Sequence, residues 1–257
     1  MKIALIGYGK MGHEIEKIAR ERGHDIVCTI DINEEEKFSS DSFKSADVAI
    51  EFTSPKSALF NYKKAFEADV PVVSGTTGWL KHIDVIKNEC NNNGKTFFYA
   101  SNFSLGVNLF FALNNYLSKL MNRFPDYDVR MEETHHIHKL DAPSGTAITL
   151  AEDIVSNIER KNGWVLEEYS EQAKNAKSNN NAKDSSVSSE NILKITSFRE
   201  GEVPGIHSVI YESEADSIKI THDAKSRKGF ALGAVLAAEF TNGKKGFLGM
   251  KDMLGNL

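Results

Sequence analysis

Short apolar runs and amphipathic stretches alternate over the first hundred residues. Lys2–Ile6 is apolar enough for a buried strand, Gly7-Tyr8-Gly9-Lys10-Met11-Gly12 interrupts it, and Ile15, Ile18 and Ala19 then recur at helical spacing. Asp25–Ile30, 46–52, 70–73 and 96–100 repeat the strand pattern, and residues 56–68 and 79–91 between them read as helices. Residues 33–45 are polar and predict a loop with little structure. Strands that alternate with helices through short connections predict a parallel sheet with right-handed crossovers.

The pattern changes after residue 104. An apolar helix is expected over 105–122, carried by Val107, Leu109, Phe110, Leu113, Leu117 and Leu120. Residues 128–133, 192–198, 206–212 and 217–222 read as strands with few helices between them, which predicts a mixed or antiparallel second sheet. A helix over 144–160 has Ala147, Ala151, Ile154, Val155 and Ile158 on one face. Residues 167–190 are rich in Asn, Ser and Lys and lack the apolar area to offset ordering, so a mobile surface loop is expected. The helix expected over 230–240 is apolar enough to pack on the first sheet. The fold class is therefore α/β: a Rossmann-type parallel-sheet domain from 1–104 and 228–257, and a smaller α+β domain with a mixed sheet from 105–227.

Composition narrows the partners. A formal charge of −5 over 257 residues argues against nucleic acid or an anionic membrane as the main partner. Two cysteines, Cys28 and Cys90, make neither a disulfide framework nor a metal-ligand pattern, which fits a reducing cytosol. No apolar run reaches the length of a signal-peptide core or a membrane span. A soluble, cytoplasmic chain beginning at Met1 is expected.

Two stretches carry chemistry. Residues 7–12 are G-x-G-x-x-G between a strand and a helix, and Asp31 closes the next strand where the ribose hydroxyls of a dinucleotide would be gripped. No arginine follows Asp31 to take a 2′-phosphate, so NADH is preferred over NADPH, with Lys10 as a partial offset. The second stretch is Glu132-Glu133-Thr134-His135-His136-Ile137-His138-Lys139-Leu140-Asp141-Ala142-Pro143-Ser144-Gly145-Thr146-Ala147. Adjacent His135 and His136 point to opposite sides of an extended chain, whereas His136 and His138 share one. The first amides of the following helix, at Gly145 and Thr146, can hold a carboxylate or phosphate. The histidines lack a convincing third and fourth metal ligand at usable spacing, so no metal is expected. Asp141 can cap a turn, and His138 orients a neighbour or faces solvent. Arg199, His207, Lys225 and Arg227 are candidate outer contributors, with surface solvation the favoured reading for each.

The run from His135 to Ala147 resembles the signature H-H-x-x-K-x-D-A-P-S-G-T-A of the 4-hydroxy-tetrahydrodipicolinate reductase family, also called dihydrodipicolinate reductase, of the diaminopimelate route to lysine. Lys10-Met11-Gly12, Gly75-Thr76-Thr77, Asn102-Phe103-Ser104 with Gly106-Val107, and the regions of Thr221-His222 and Gly233-Ala234 add to the likeness. The resemblance implies reduction of a cyclic, unsaturated dicarboxylate with NADH or NADPH. It implies His135 as proton donor or acceptor, Lys139 as proton donor, and His136, Gly145 and Thr146 as substrate-binding groups. Gly7, Tyr8, Gly9, Lys10, Met11, Gly12, Asp31, Gly75, Thr76, Thr77, Ala100, Ser101, Asn102 and Phe103 would hold the cofactor. It further implies a homotetramer built through the second domain, which would be the substrate-binding and oligomerisation domain. Another two-domain nicotinamide dehydrogenase keeps the glycine turn but leaves the histidine run unexplained; an NADH sensor needs no proton donor.

Overall fold

Each buried strand of the amino-terminal part ends in a polar or glycine-bearing turn, so the carboxyl edge of its sheet is where the chain exposes chemistry. The computed structural model describes residues 1–168, 191–226 and 228–255. The chain divides into two compact units, Met1–Leu105 with Arg227–Leu257, and Gly106–Ser226.

The first unit runs β1 (Lys2–Ile6), α1 (Lys10–Glu21), β2 (Asp25–Ile30), a 3-10 turn (Glu35–Ser39), α2 (Asp41–Lys44), β3 (Val48–Glu51), α3 (Pro55–Glu67), β4 (Val72–Ser74), a 3-10 turn (Leu80–His82), α4 (Ile83–Asn92) and β5 (Thr96–Tyr99). The second runs α5 (Leu105–Met121), β6 (Asp128–His135), α6 (Gly145–Asn157), β7 (Gly163–Glu168), β8 (Ile192–Arg199), β9 (Ile206–Glu212) and β10 (Ser217–Asp223). The chain then returns to the first unit with α7 (Lys228–Thr241), β11 (Gly246–Gly249) and α8 (Met250–Leu254).

The first sheet has the order β11-β5-β4-β3-β1-β2 and is parallel throughout. Its inner strands are buried on both faces: Ile3, Leu5, Val48 and Ile50 pack with α1 and α7, while Ala4, Ile6, Ala49 and Val72 pack with Tyr62, Phe66 and Trp79. The expected loop over 33–45 is corrected. Phe38 and Phe43 are buried with ring centroids 5.1 Å apart, and Ser40 caps α2 by accepting from the Phe43 amide. Two aromatic anchors suffice to order a stretch whose average character is polar. The sixth strand, β11, was not foreseen, because two of its four residues are glycines and Lys244 and Lys245 precede it.

In the second unit the order is β10-β9-β6-β8-β7, antiparallel across β10, β9 and β6 and parallel across β6, β8 and β7. The sheet is mixed, as expected. One face carries Val129, Met131, Leu193, Ile195, Val209 and Tyr211 against α5 and α6. Strand β6 runs two residues past its expected end, because His135 still pairs with Arg199 of β8 and Thr134 with Ile206 of β9. Strand β7 was missed, and it takes the first two residues of the stretch expected to be a mobile loop. The rest of that stretch, 169–190, lies outside the described residues. Helix α6 ends at Asn157, three residues before its expected end.

Candidate functional site

The cofactor candidates of the first unit all follow the carboxyl ends of its strands. Gly7 has φ +89°, and a Cβ there would lie 2.1 Å from the Phe52 carbonyl oxygen. At Gly12 a Cβ would lie 2.5 Å from the Gly7 carbonyl oxygen, so both glycines are needed for the turn and the helix to close on each other. Nothing would meet a Cβ at Gly9 within 4 Å, which leaves the start of α1 open for an anion to approach its amides. Tyr8 hydrogen-bonds Glu16 through its hydroxyl and lies against His13 with centroids 4.1 Å apart.

A cleft of ≈ 380 Å³ is lined by residues 9–12, Phe52, Thr53, Pro55 and residues 75–77. The structure thus brings Gly9, Lys10, Met11, Gly12, Gly75, Thr76 and Thr77 together. Asp31 is exposed at the end of β2, on the edge strand beside β1, where its amide donates to Glu34 at 3.0 Å. Ala100, Ser101, Asn102 and Phe103 follow β5, beyond β4 and outside the lining of the cleft. Phe103 reaches toward it through Phe52, with ring centroids 5.5 Å apart.

Two residues beneath the cleft were not anticipated from sequence. A Cβ at Gly75 would strike the Phe52 ring at 2.2 Å, so Phe52 requires glycine there. Glu51 is fully buried and accepts hydrogen bonds from the hydroxyls of Thr53, Ser74 and Thr76, the last at 3.0 Å. Burial pushes its carboxyl above the ordinary range, against the pull of those donors and of Asn61. Thr76 Oγ1 also accepts from the Thr53 amide at 2.8 Å, so Glu51 orients the loop that lines the cleft. The turn fits a dinucleotide: it offers space at Gly9, unpaired helix amides and no acidic side chain in the first turn.

In the second unit the alternation of β6 decides which histidine goes inside. Val129 and Met131 face the helices, so Glu133 and His135 do too, and both are buried. Glu133 is central. Its Oε1 accepts from Ser197 Oγ at 2.8 Å, and both oxygens accept from the Ser144 amide at 3.2 and 3.1 Å. Ser144 Oγ donates to Oε2, accepts from the Ala147 amide as the cap of α6, and lies 3.0 Å from His207 Nε2. With its proton committed to Glu133, that hydroxyl accepts from His207, which places the His207 proton on Nε2.

His135 Nδ1 is buried, without a hydrogen-bond partner, 3.7 Å from Glu133 Oε2; Nε2 lies beside Gly205, where a Cβ would come within 3.1 Å. Burial pulls the His135 imidazole down to about 4; His207, Lys139 and Arg199 act in the same direction, and Glu133 opposes them. For Glu133 burial would raise the carboxyl, but His207, Ser144, Ser197 and His135 outweigh it and hold it at about 2. The pair is a neutral imidazole over a fixed carboxylate at pH 7. One ligand atom each from Glu133, His135 and His207 lies within 4.8 Å of the others, but both Glu133 oxygens already take protein hydrogen bonds. The three side chains form one buried polar cluster.

Lys139 Nζ contacts both Asp141 oxygens at 2.8 Å. Arg199 clamps their loop by donating to the Lys139 carbonyl at 3.2 Å and the Asp141 carbonyl at 2.8 Å. The expectation that Arg199 and His207 are surface residues is corrected: the Arg199 side chain is 12% exposed and His207 5%. Lys225 is exposed, and Arg227 lies outside the described residues. His136 is half-buried with an unpartnered Nδ1, whereas His138 is solvent-exposed beside Glu202 at 3.3 Å. The amides of Gly145 and Thr146 open α6, and nothing lies within 4 Å of a Cβ at Gly145. Glu133, Ser144 and Ser197 were missed; continuing the period-two pattern of β6 past Met131 would have pointed to Glu133.

Known proteins resemble the chain along its whole length. The model for "Dihydrodipicolinate reductase, N-terminus" matches residues 1–103 and that for its C-terminus residues 106–254. A 4-hydroxy-tetrahydrodipicolinate reductase of Christiangramia forsetii is 46% identical over 257 residues, covering 100% of this chain and 99% of its own. One from Staphylococcus saprophyticus is 32% identical over 245 residues, 93% and 94% of the two chains. The solved structure of a dipicolinate-bound dihydrodipicolinate reductase from Paenisporosarcina sp. TG-14 has the same fold, with a TM-score of 0.71 and 22% identity over 98% of each chain. Matches that together span nearly every residue, and run through both units, leave one assignment: the chain belongs to the dihydrodipicolinate reductase family.

Proposed function

We propose the following division of labour for the family's reaction, the NAD(P)H-dependent reduction of 4-hydroxy-tetrahydrodipicolinate in lysine biosynthesis. The turn of residues 7–12 and the start of α1 hold the cofactor pyrophosphate, Asp31 the ribose hydroxyls, and residues 75–77 and 100–103 the nicotinamide end. When bound, the cofactor supplies the hydride. NADH is preferred, because Asp31 is followed by exposed Ile32 and then by Glu34, Glu35 and Glu36, a setting that repels a 2′-phosphate.

In the second unit the Gly145 and Thr146 amides, with His136, hold one substrate carboxylate, and Lys139 faces the developing charge and delivers a proton. His135, neutral at pH 7, exchanges a proton at Nε2. The observation that carries this reading is that a clamped cation and an open helix N-terminus lie on one short loop, with a buried imidazole at its start. A rigid dicarboxylate needs two such anion sites, and a fixed ring needs a proton donor already in place.

Dipicolinate, the molecule bound by the Paenisporosarcina relative, is the direct probe. Calorimetric titration is expected to show binding that Lys139→Ala weakens at least ~10-fold, the loss of one charge-assisted contact. Equal affinity in both proteins would remove Lys139 from the substrate site. A homotetramer formed through the second unit accords with the sheet face opposite α5 and α6, where Arg130 and Lys219 lie open and, among the described residues, pair with Glu132 and Glu212. Sedimentation equilibrium at working concentration tests it, and a monomer would count against it.

A further inference from the structure

The carboxylate at the centre of the second unit is used by none of the roles above, yet three strands and a helix cap converge on it. Strand register puts Ser197 of β8, Glu133 of β6, His207 of β9 and His222 of β10 in one row across four strands. The next pair on the same face, two residues on, is His135 with Arg199. Charged and polar residues therefore occupy consecutive rows on the face that elsewhere carries Val129, Met131, Leu193 and Ile195. Burying a carboxylate costs several kcal/mol unless donors surround it, and here they do. Ser144 and Ser197 donate, and His207, His135 and Arg199 stand at 3.6, 3.7 and 3.8 Å.

We propose that Glu133 is a positioning residue for the reaction, acting through two groups at once. Facing His135 Nδ1, it keeps the proton of the neutral ring on that nitrogen, which leaves Nε2 unprotonated beside Gly205. Accepting from the Ser144 amide and hydroxyl, it fixes the cap of α6 and so the direction of the Gly145 and Thr146 amides. The proton-exchanging ring and the anion cradle thereby share one reference point. His207 completes the network by donating from Nε2 to Ser144, and its neighbour in the row, His222, stacks on Phe110. The charged groups facing His135 are Glu133 from its own strand, Arg199 from β8 and Lys139 from the following loop, with His207 from β9 and Asp141 paired to Lys139. Glu133 is the negative charge among them that opposes the fall of the His135 imidazole.

The inference rests on the proposed part of His135, and the test separates the two. The full-length chain, labelled with ¹⁵N at histidine, is examined at pH 7 as wild type, Glu133→Gln and Glu133→Asp, with His135→Gln identifying the His135 resonances. Wild type should show His135 as the Nδ1–H tautomer. Glu133→Gln should shift it toward the Nε2–H form and lower kcat at least ~10-fold with the NADH KM unchanged, and Glu133→Asp should restore part of both. A folded Glu133→Gln with the wild-type tautomer and turnover would overturn the proposal. If Glu133→Gln does not fold, Glu133→Asp carries the test alone: the shorter side chain withdraws the carboxylate from Nδ1, so a fully wild-type tautomer and kcat there would overturn the proposal. Should His135→Gln keep full turnover, the reading of His135 falls, whatever the tautomer does. Loss of turnover in His135→Gln but not in Glu133→Gln removes only the positioning role.

Discussion

At the scale of single residues, the site rests on two groups pushed to the same side of neutrality. His135 is drawn from 6.5 down to about 4 and Glu133 from 4.5 to about 2, so both bind more protons when unfolded than when folded. Each therefore contributes stability that is complete above its unfolded value and lost as pH falls: His135 between 6.5 and about 4, Glu133 between 4.5 and about 2. The His135 part is on the order of 3 kcal/mol. Urea unfolding measured from pH 7 to 4 should show wild type losing stability over that range and His135→Gln losing markedly less; parallel curves would refute the buried, neutral imidazole. The residue scale is also where sequence reading reached least evenly. Gly7 and Gly12 could be recognised because a turn that closes on itself needs glycine at fixed spacing. The alternation of β6 can place Glu133 on the inward face, but it cannot supply what holds the carboxylate there, since its partners Ser197 and His207 stand more than sixty positions away.

Among the elements, α6 links the site to stability. Ser144 serves as its cap and as a donor to a buried carboxylate, so Ser144→Ala removes both contacts. The expected loss is about 2–4 kcal/mol, roughly 1 for the cap and the rest for the charge-assisted bond. Thermal unfolding should register this, and the substrate KM should rise more than the NADH KM, because the Gly145 and Thr146 amides move with the cap. Equal change in both constants would mean the helix start does not hold substrate. The strands and helices with strong periodicity, such as β1, α1 and α3, could be read directly from their apolar spacing. Strands β7 and β11 could not: one merges into a polar stretch and the other is four residues that begin and end with glycine, and each is specified by its neighbour, β8 or β5. The region from Phe38 to Phe43 shows the same principle, with two buried rings outweighing the polar residues around them.

For the molecule as a whole, the proposed division of labour follows the two units. One is a parallel sheet whose carboxyl edge gathers the glycine turn and residues 75–77; the other is a mixed sheet whose apolar face is broken by a buried polar network. Among the described residues no helix is long and apolar enough to cross a membrane. The alternation of strands and helices announced the first unit, and the His135 to Ala147 run announced the family. What sequence could not supply was which histidine of that run goes inside and what holds it there, because both depend on register between strands distant in the chain. The central claim is that His135 and Lys139 carry the proton chemistry of an NADH-preferring reductase. The most direct measurement is nucleotide oxidation followed at 340 nm, with substrate generated in place from pyruvate and aspartate semialdehyde by the preceding synthase. Wild type should oxidise NADH more efficiently than NADPH, and His135→Ala and Lys139→Ala should each lower kcat by about 10²-fold or more while still binding NADH. Wild-type turnover in either variant would contradict the account.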